Sequence, residues 1–265
     1  MFFTKKSILP LCLFLSAALC LLSSCEPNDV TLEETSPTTY LEKPSVNPSG
    51  VISTRQLGLK FDGVDDYIEI PKTLFSGQPT AELTIECWVK TNDHNQEVGP
   101  IFNKYAYWSE AKIEYRRGSL NFFYAWPQPP NYPASLLTGQ LPDGSWTHIA
   151  VTLKNNLCKV YRDGKLAGST SAAYPISWQT APGECTLAAG EWGRTIYYFK
   201  GIISKFRVSR ISRYNADFTP KNDFVTDTNT ELLYRFTDTR SQTIKDHSRN
   251  ANHGIIHGNP TWVQE

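Results

Sequence analysis

The chain has 265 residues, of which 40% are hydrophobic, 20% charged and 12% aromatic, and its 26 basic residues balance its 26 acidic ones. This composition excludes a disordered polyelectrolyte, a collagen-like repeat and a coiled coil. The zero net charge argues against nucleic acid as a partner, because phosphate binding needs a basic excess. A single Met against 7 Trp, 13 Tyr, 13 Phe and 17 Pro favours strands and loops over packed helices.

The first 24 residues predict an export signal. Lys5 and Lys6 form a basic start, and the apolar run from Ile8 to Leu22 is shorter than the roughly 20 residues that span a membrane. The segment Leu22-Ser23-Ser24-Cys25 resembles a bacterial lipobox, in which the cysteine becomes the lipidated first residue of the mature chain. We therefore predict lipidation of Cys25 and an exported protein anchored in the cell envelope, at the outer membrane or cell surface. Ordinary cleavage, with Cys25 a plain thiol, is the alternative.

Residues 26–55 are predicted to form a flexible tether, because Pro, Ser, Thr, Asn and Glu dominate and no apolar period is present. Glu26 and Asp29 beside the anchor resemble the surface-export signals of Bacteroidetes lipoproteins. The chain therefore divides into a signal peptide (1–24), a lipidated cysteine with its tether (25–55) and one domain (56–265). Without the signal, 24 basic residues face 26 acidic ones, so the conclusion on nucleic acid holds for the mature chain.

Three cysteines remain in the domain once Cys12 and Cys20 leave with the signal and Cys25 takes lipid. An exported compartment permits one disulfide among them, and all three pairings are open. No Cys/His spacing indicates zinc. The favoured interpretation is that all three are buried thiols that pack as small hydrophobic residues; they are Cys87, Cys158 and Cys185.

From about residue 56 the sequence predicts a succession of short strands. Apolar residues alternate with polar ones, the period of a half-buried strand, in segments that include Leu57–Phe61, Leu83–Lys90 and Thr147–Lys154. Asn155-Asn156 and Asp163-Gly164 are two-residue hairpin signals. Further strands are expected at Tyr67–Ile70, Leu157–Arg162, Thr186–Ala189, Gly201–Ser209 and Glu231–Thr237. No helical period persists for 12 residues, so we predict an all-β fold, a two-sheet antiparallel jelly-roll sandwich.

Six segments, in the same order, resemble those of laminin-G-like, concanavalin A-like jelly rolls. They are Leu59–Ile68, Leu83–Lys90, Trp146–Lys165, Phe199–Ser209, Arg213–Phe236 and Asp246–Gly254, the last of the form D-x-S-x-N-x-N-x-G. The resemblance covers residues 57–263 and is that of a bacterial laminin-G-domain lipoprotein. It implies a curved sandwich of two antiparallel sheets. It does not imply one function, because the family includes carbohydrate-binding modules, adhesion modules and, on the same superfold, glycosidases.

The sequence predicts no enzyme. The retaining β-glucanases on this superfold carry E-x-D-x-x-E or E-x-D-x-E on one strand, which places the carboxylates on one face. Neither Glu82–Glu86, nor Asp65–Glu69, nor Glu110–Glu114 fits that pattern. A glycoside hydrolase with a diverged carboxylate pair remains the alternative. The five histidines are interpreted as surface or turn residues rather than metal ligands; they are His94, His148, His247, His253 and His257.

Aromatic loops are the predicted ligand-binding site. Sugars present apolar C–H faces with polar rims, and binding sites meet them with aromatic side chains and a few polar groups. The stretch 105–132 and the loop at 191–194 supply the candidates Tyr124, Trp126, Tyr132, Trp108, Trp192 and Arg194. For any one of these residues, packing in the core is the favoured alternative. We predict a non-catalytic lipoprotein that binds carbohydrate, in recognition or adhesion, with a protein-binding structural module as another alternative.

A structural calcium ion is a further expectation that comes from the resemblance, since many relatives bind one at the sandwich edge. Calcium takes six to eight oxygen ligands. Asp65, Asp66, Asp246 and Asn250 could supply some of them. Turn-forming Asx residues are the favoured interpretation of the same four side chains. No other cofactor is expected.

Overall fold

A computed structural model describes residues 56–72, 74, 82–91, 93, 95–104, 111–124, 134–171, 185–192, 195–237, 239 and 241–264. Every regular element in these ranges is a strand, which confirms the all-β prediction. In chain order the strands are β1 Leu57–Asp62, β2 Tyr67–Ile70, β3 Glu82–Lys90, β4 Gly99–Lys104, β5 Ala111–Arg116, β6 Ser119–Tyr124, β7 Ala134–Gln140, β8 Thr147–Lys154, β9 Leu157–Arg162, β10 Lys165–Ser171, β11 Cys185–Leu187, β12 Ala189–Trp192, β13 Thr195–Tyr198, β14 Lys200–Ser209, β15 Thr230–Tyr234, β16 Thr243–Ile244, β17 Gly254–His257 and β18 Thr261–Gln264.

Two antiparallel sheets pack face to face, as a jelly-roll sandwich requires. The first sheet has the order β10-β9-β8-β3-β14-β1-β18, with β15 also paired to β14. The second sheet has the order β16-β17-β2-β11-β4-β5-β6-β7. Strands β12 and β13 form a separate hairpin. No helix in the part of the chain that the structure describes is long and apolar enough to cross a membrane.

The core lies between the two sheets and follows the predicted alternation. On β3, Leu83, Ile85, Cys87 and Val89 all point inward and are fully buried. The second sheet contributes inward-facing residues in the same way, and the rings of Phe102 and Phe206, one from each sheet, have centroids 5.4 Å apart. Interdigitation of the two inner faces is what holds such a sandwich together.

The three domain cysteines are buried thiols outside any disulfide, as the favoured interpretation predicts. They lie on three different strands: Cys87 on β3, Cys158 on β9 and Cys185 on β11. Burial raises the pKa of the Cys87 and Cys158 thiols far above the ordinary range. These thiols therefore act as core residues.

The two predicted hairpin turns are confirmed. Asn155 and Asn156 have φ of 49° and 65°, and Asp163 and Gly164 have φ of 49° and 74°. Positive φ at both central residues is the mark of the turn whose twist matches that of the flanking strands. These turns set the register of β8, β9 and β10, with Leu153 opposite Cys158.

Residues 210–229, here called the strap, lie over the outer face of the first sheet. Thr84 Oγ1 donates to the carbonyl of Ile211 at 2.7 Å, and Trp88 Nε1 donates to that of Lys221 at 3.3 Å. His148, on the neighbouring strand, is fully buried beneath the strap. The surface or turn interpretation is therefore wrong for His148, because a segment more than 60 residues away covers its side of the sheet.

Two predicted strands are shorter than expected because the backbone turns out of the sheet. Ala188, with φ of 65°, separates β11 from β12 inside the predicted strand Thr186–Ala189. Phe236, with φ of 54°, follows the end of β15, which stops at Tyr234. The alternation of apolar and polar residues does not show where a non-glycine residue adopts a left-handed backbone conformation. The alternation alone therefore could not predict either break.

Candidate functional site

A cleft of about 160 Å³ lies between the outer face of the second sheet and the β12–β13 hairpin. Because Ile68 and Ile70 of β2 point into the core, Tyr67 and Glu69 point outward, into the cleft. The described residues that line it include Tyr67, Glu69, Lys72, Thr186, Ile196 and Tyr198.

The hairpin reaches this position because the chain turns out of β11 at Ala188. Phe199 N donates to the Ala188 carbonyl at 2.8 Å, which closes the base of the hairpin. Gly190 then packs directly on β4, since a Cβ there would lie 3.1 Å from the Cβ atoms of Asn103 and Pro100. A glycine at this position permits the close approach of the hairpin to the sheet.

One rim of the cleft combines an aromatic ring with a carboxylate. The Tyr67 and His257 rings stack with centroids 4.4 Å apart and an interplanar angle of 5°. His257 Nε2 lies 3.0 Å from Glu69 Oε2. The Tyr198 ring lies beside that of Tyr67, with centroids 6.3 Å apart and an interplanar angle of 46°. The cleft therefore offers two ring faces and an acceptor whose side chain is 46% exposed.

A buried polar row continues the outer face of the sheet beyond the cleft. We use the name polar row for Asn103 on β4, Lys112 and Glu114 on β5, and Asn121 on β6. In register, Asn103 lies opposite Lys112 and Glu114 lies opposite Asn121. The Lys112 and Glu114 side chains are both 0% exposed, and Lys112 Nζ lies 3.2 Å from Glu114 Oε2. Burial lowers the pKa of Lys112, against the opposing effect of the Glu114 charge.

Several atoms of the polar row have no hydrogen-bond partner. They are both side-chain amide atoms of Asn103, Oε1 of Glu114 and Oδ1 of Asn121, whereas Glu114 Oε2 is ion-paired with Lys112. Lys112 Nζ donates to the Glu191 carbonyl in the hairpin at 3.3 Å. The row therefore holds buried polar atoms without partners, and none of its four residues is among those that line the cleft.

The described part of the site does not present a pair of catalytic carboxylates. Glu69 is the one carboxylate among the described residues that line the cleft. Glu114 stands on β5, three strands from β2 in the sheet order, which corresponds to about 14 Å between strands. A glycosidase pair is separated by about 5 to 5.5 Å or by about 6.5 to 9.5 Å.

The predicted aromatic site falls almost wholly outside the described residues. Trp108, Trp126, Tyr132 and Arg194 are not described, and neither is Cys25. Tyr124 and Trp192 end strands β6 and β12, but their side chains lie outside the description. These candidates stay predictions.

Sequence reasoning missed the residues that form the cleft. The signals were present: Tyr67 and Glu69 occupy the polar positions of an alternating strand, and Tyr198 belongs to an aromatic pair after the predicted loop. Neither signal could place β2 beneath a hairpin that begins more than 115 residues later.

The four predicted calcium ligands do not form one group. The carboxylate oxygens of Asp62, Asp65 and Asp66 lie within 4.8 Å of one another. Asp66 accepts from the backbone N–H groups of Asp62 at 3.0 Å and Asn259 at 2.7 Å. Burial raises the pKa of Asp66, against the lowering effect of these hydrogen bonds. The Asp66 carboxylate thus links the turn after β1 to the turn at Asn259 through hydrogen bonds.

Asp246 and Asn250 belong to a different hydrogen-bonded cluster. Asp246 Oδ1 accepts from the N–H groups of Leu233 and Ser248 at 2.9 and 2.8 Å, and Oδ2 accepts from that of Asn252 at 2.9 Å. Asn250 Nδ2 donates to the carbonyl of Glu231 at 3.0 Å. Through these contacts Asp246 and Asn250 act as Asx residues that hold a turn against β15. Neither residue belongs to the group formed by Asp62, Asp65 and Asp66.

A family model described as the concanavalin A-like lectin/glucanases superfamily, Laminin_G_3, matches residues 62–217. The chain belongs to this superfamily. The match covers more than half of the chain and confirms the family resemblance, although the segment Asp246–Gly254 and most of Arg213–Phe236 lie beyond the matched residues. Comparison with curated proteins finds no matching sequence.

Solved structures are similar to this chain at low sequence identity. A candidate carbohydrate-binding protein from Bacteroides ovatus is 15% identical, with a TM-score of 0.59, over 80% of this chain and 60% of that one. The CBM40 of the Ruminococcus gnavus IT-sialidase, bound to α2,3-sialyllactose, is 15% identical with a TM-score of 0.47, over 59% and 91%. A pentraxin from Limulus polyphemus is 17% identical with a TM-score of 0.44, over 62% and 80%.

Proposed function

We propose that this protein is a non-catalytic, lipid-anchored protein of the cell envelope that binds carbohydrate in the cleft beneath the β12–β13 hairpin. The observation that carries the proposal is that the neighbouring Tyr67 and Tyr198 rings line one small cleft together with the Glu69 carboxylate. Aromatic rings contact the C–H faces of a sugar, and a carboxylate accepts hydrogen bonds from its hydroxyls.

The superfamily supports this proposal without deciding it. The Bacteroides ovatus protein, a candidate for carbohydrate binding, shares its fold with this chain. The single carboxylate among the described residues of the cleft favours binding over hydrolysis, which needs two. The aromatic residues of the predicted loops, Trp126 and Trp192 first, would add contacts to the same ligand. Lipidation of Cys25 would hold the domain at the membrane.

Replacement of a cleft tyrosine tests the proposal. We expect Tyr198→Ala in the full chain to weaken binding to a glycan found on an array by about tenfold, or about 1.4 kcal/mol, because a ring face is lost. Tyr197→Ala is the matched control, since Tyr197 neighbours Tyr198 on β13 and does not line the cleft. Binding by titration calorimetry and melting temperature would be measured for both variants.

Two results would contradict the proposal. One is the absence of any bound glycan on the array for the wild-type protein. The other is an equal effect of Tyr198→Ala and Tyr197→Ala on affinity, which would place the sugar elsewhere on the molecule.

A further inference from the structure

The carboxylate of the cleft is held at one of its two oxygens. His257 Nε2 lies 3.0 Å from Glu69 Oε2, within hydrogen-bond distance. Among the described residues, no hydrogen bond or ion pair uses Glu69 Oε1. Because each carboxylate oxygen is an acceptor, Oε1 can accept the proton of a sugar hydroxyl while Oε2 stays in contact with the histidine.

The same histidine contacts a ring that lines the cleft. The His257 and Tyr67 rings stack with centroids 4.4 Å apart and an interplanar angle of 5°. A ring stacked in this way can leave its plane only if the stack is broken, so the contact fixes the orientation of Tyr67. His257 itself is not among the described residues that line the cleft. It therefore touches two lining side chains from outside the cleft.

The strand register places one histidine within reach of both side chains. Strand β17 pairs antiparallel with β2, with His257 opposite Tyr67 and Ile255 opposite Glu69. Alternate residues of a strand share a face, so all four side chains belong to the outer face of the second sheet. Glu69 lies diagonally across the ladder from His257, a separation that long side chains span.

The backbone around the histidine is fixed as well. Gly258, with φ of 75°, turns the chain directly after β17, and a Cβ at this position would overlap Asp66 Oδ1. The same oxygen accepts from Asn259 N at 2.7 Å. Asp66 directly precedes Tyr67 in the chain, so one carboxylate holds the turn after His257 against the start of β2. The two stacked rings are therefore presented by backbone segments that are hydrogen-bonded to each other.

The contact between His257 and Glu69 matters more for orientation than for the stability of the fold. The two side chains are 35% and 46% exposed, so solvent screens the attraction between them. A half-exposed glutamate without a partner samples several rotamers, and a ligand that binds one of them must restrict the others. A carboxylate already held in one orientation loses less freedom when the ligand arrives.

On the basis of the proposed function, we infer that His257 is a positioning residue of the sugar site. It holds Glu69 by a hydrogen bond and Tyr67 by stacking, and so presents the carboxylate and the ring to the sugar in one fixed arrangement. It does this without contacting the sugar. A residue outside the cleft thus helps to determine the affinity of the cleft.

Two substitutions separate the two contacts. His257→Phe keeps a ring that can stack on Tyr67 and removes the hydrogen bond to Glu69, whereas His257→Gln keeps an amide donor and removes the ring. In the full chain, each should weaken binding about threefold and His257→Ala about tenfold. The probe is the glycan that wild-type protein binds most tightly on an array of neutral and acidic glycans, titrated by calorimetry. Melting temperatures should change little, because the contacts are half exposed.

A second background shows whether His257 acts through Glu69. In Glu69→Ala protein, His257→Phe should cause no further loss of affinity, because the hydrogen bond that it removes is already absent. A general structural effect of the change at position 257 would persist in both backgrounds, and would overturn the inference.

Ile255→Ala is the matched control. Ile255 lies on the same strand and faces outward opposite Glu69, but it is 51% exposed and is not among the residues that line the cleft. This variant should bind the glycan as the wild type does. Where Glu69→Ala binds too weakly to be titrated, the comparison of His257→Phe with Ile255→Ala decides whether the effect is specific.

The outcomes separate this inference from the function on which it rests. If Tyr198→Ala weakens glycan binding while His257→Ala binds as tightly as the wild type, the inference is wrong and the proposed function stands. Equal losses in Ile255→Ala and His257→Phe would also overturn it, since any change in β17 would then suffice. Wild-type affinity in His257→Phe or in His257→Gln would show that one contact is enough, against the claim that both are needed. No binding to any glycan would remove both the inference and the function.

Discussion

Glu86 is a buried charge whose partners come from three separate parts of the chain. Its carboxylate is fully buried beneath the strap. Oε1 accepts from Arg207 Nε at 2.8 Å, while Oε2 accepts from Tyr214 Oη at 2.8 Å and lies 3.2 Å from His148 Nε2. Burial raises the pKa of Glu86, but the hydrogen bond with His148 and the charge of Arg207 outweigh it, so the pKa is lowered overall.

Loss of the Arg207 charge should therefore destabilise the fold at neutral pH. We expect Arg207→Met to lower the free energy of unfolding by about 3 to 5 kcal/mol, because Glu86 stays buried without its cation. Since the folded-state pKa of Glu86 is lowered, the stabilisation is present above the ordinary glutamate pKa of about 4.3 and is lost as the pH falls through the folded-state value. The difference between variant and wild type should shrink in acid.

Urea unfolding in steps from pH 7 down to about pH 3, below the ordinary glutamate pKa, measures both effects. Arg117→Met is the matched control, because the Arg117–Glu97 pair is 71% and 65% exposed and should contribute less than about 1 kcal/mol. Equal losses in the two variants, or a pH-independent loss in Arg207→Met, would contradict this account of Glu86.

The Asp163-Gly164 turn both connects strands β9 and β10 and contacts the strap. Gly164 has φ of 74°, and its carbonyl accepts from Phe218 N at 2.8 Å. Asp163 Oδ1 accepts from the backbone N–H of His148 at 2.9 Å. A Cβ at position 164 would stand 1.8 Å from the Phe218 carbonyl oxygen. The turn therefore requires glycine both for its backbone angle and for the docking of the strap.

A comparison of two glycines separates these requirements. Gly139 has φ of 81°, and a Cβ there would meet nothing within 4 Å. We expect Gly139→Ala to lower the free energy of unfolding by about 1 to 2 kcal/mol from backbone conformation alone. Gly164→Ala should cost about 1 to 3 kcal/mol more, because the strap must move as well. Equal values in urea unfolding would show that the strap does not depend on this contact.

At the scale of the whole molecule, the cleft and the strap occupy opposite outer faces of the sandwich. The strap covers the first sheet, and the cleft lies on the second. The described domain begins at Gln56. If residues 26–55 are flexible, a tether of this length places the domain at an average of about 30 Å from its anchor. A domain held in this way could present its cleft in many orientations.

Lipidation of Cys25 is the corresponding prediction. Wild-type protein expressed in a bacterial host should take up radiolabelled palmitate and sediment with membranes, whereas Cys25→Ala should do neither, because each buried methylene contributes about 0.8 kcal/mol to membrane binding. Cys158→Ala is the control, since that thiol is buried in the domain. Equal labelling of the wild type and Cys25→Ala would contradict the anchor.

Local patterns in the sequence determined the strands that form the centre of the sandwich. The alternation in Leu83–Lys90 and Thr147–Lys154 predicts β3 and β8 to within a residue, and the pairs Asn155-Asn156 and Asp163-Gly164 predict their turns. These features depend on neighbours one or two positions away, so they can be recognised without knowledge of the fold. The inward position of Cys87 follows from the same period.

Only the tertiary structure decided what covers the outer faces of the two sheets. His148 is buried because the strap folds over it, and the cleft exists because Ala188 turns a hairpin over β2 and β4. Thr186 lies opposite Asn103 because β11 pairs with β4, although the two strands are far apart in the chain. A residue's outward position is set by a two-residue period, but its environment is set by segments tens of residues away, and no local pattern records which of them will pack there.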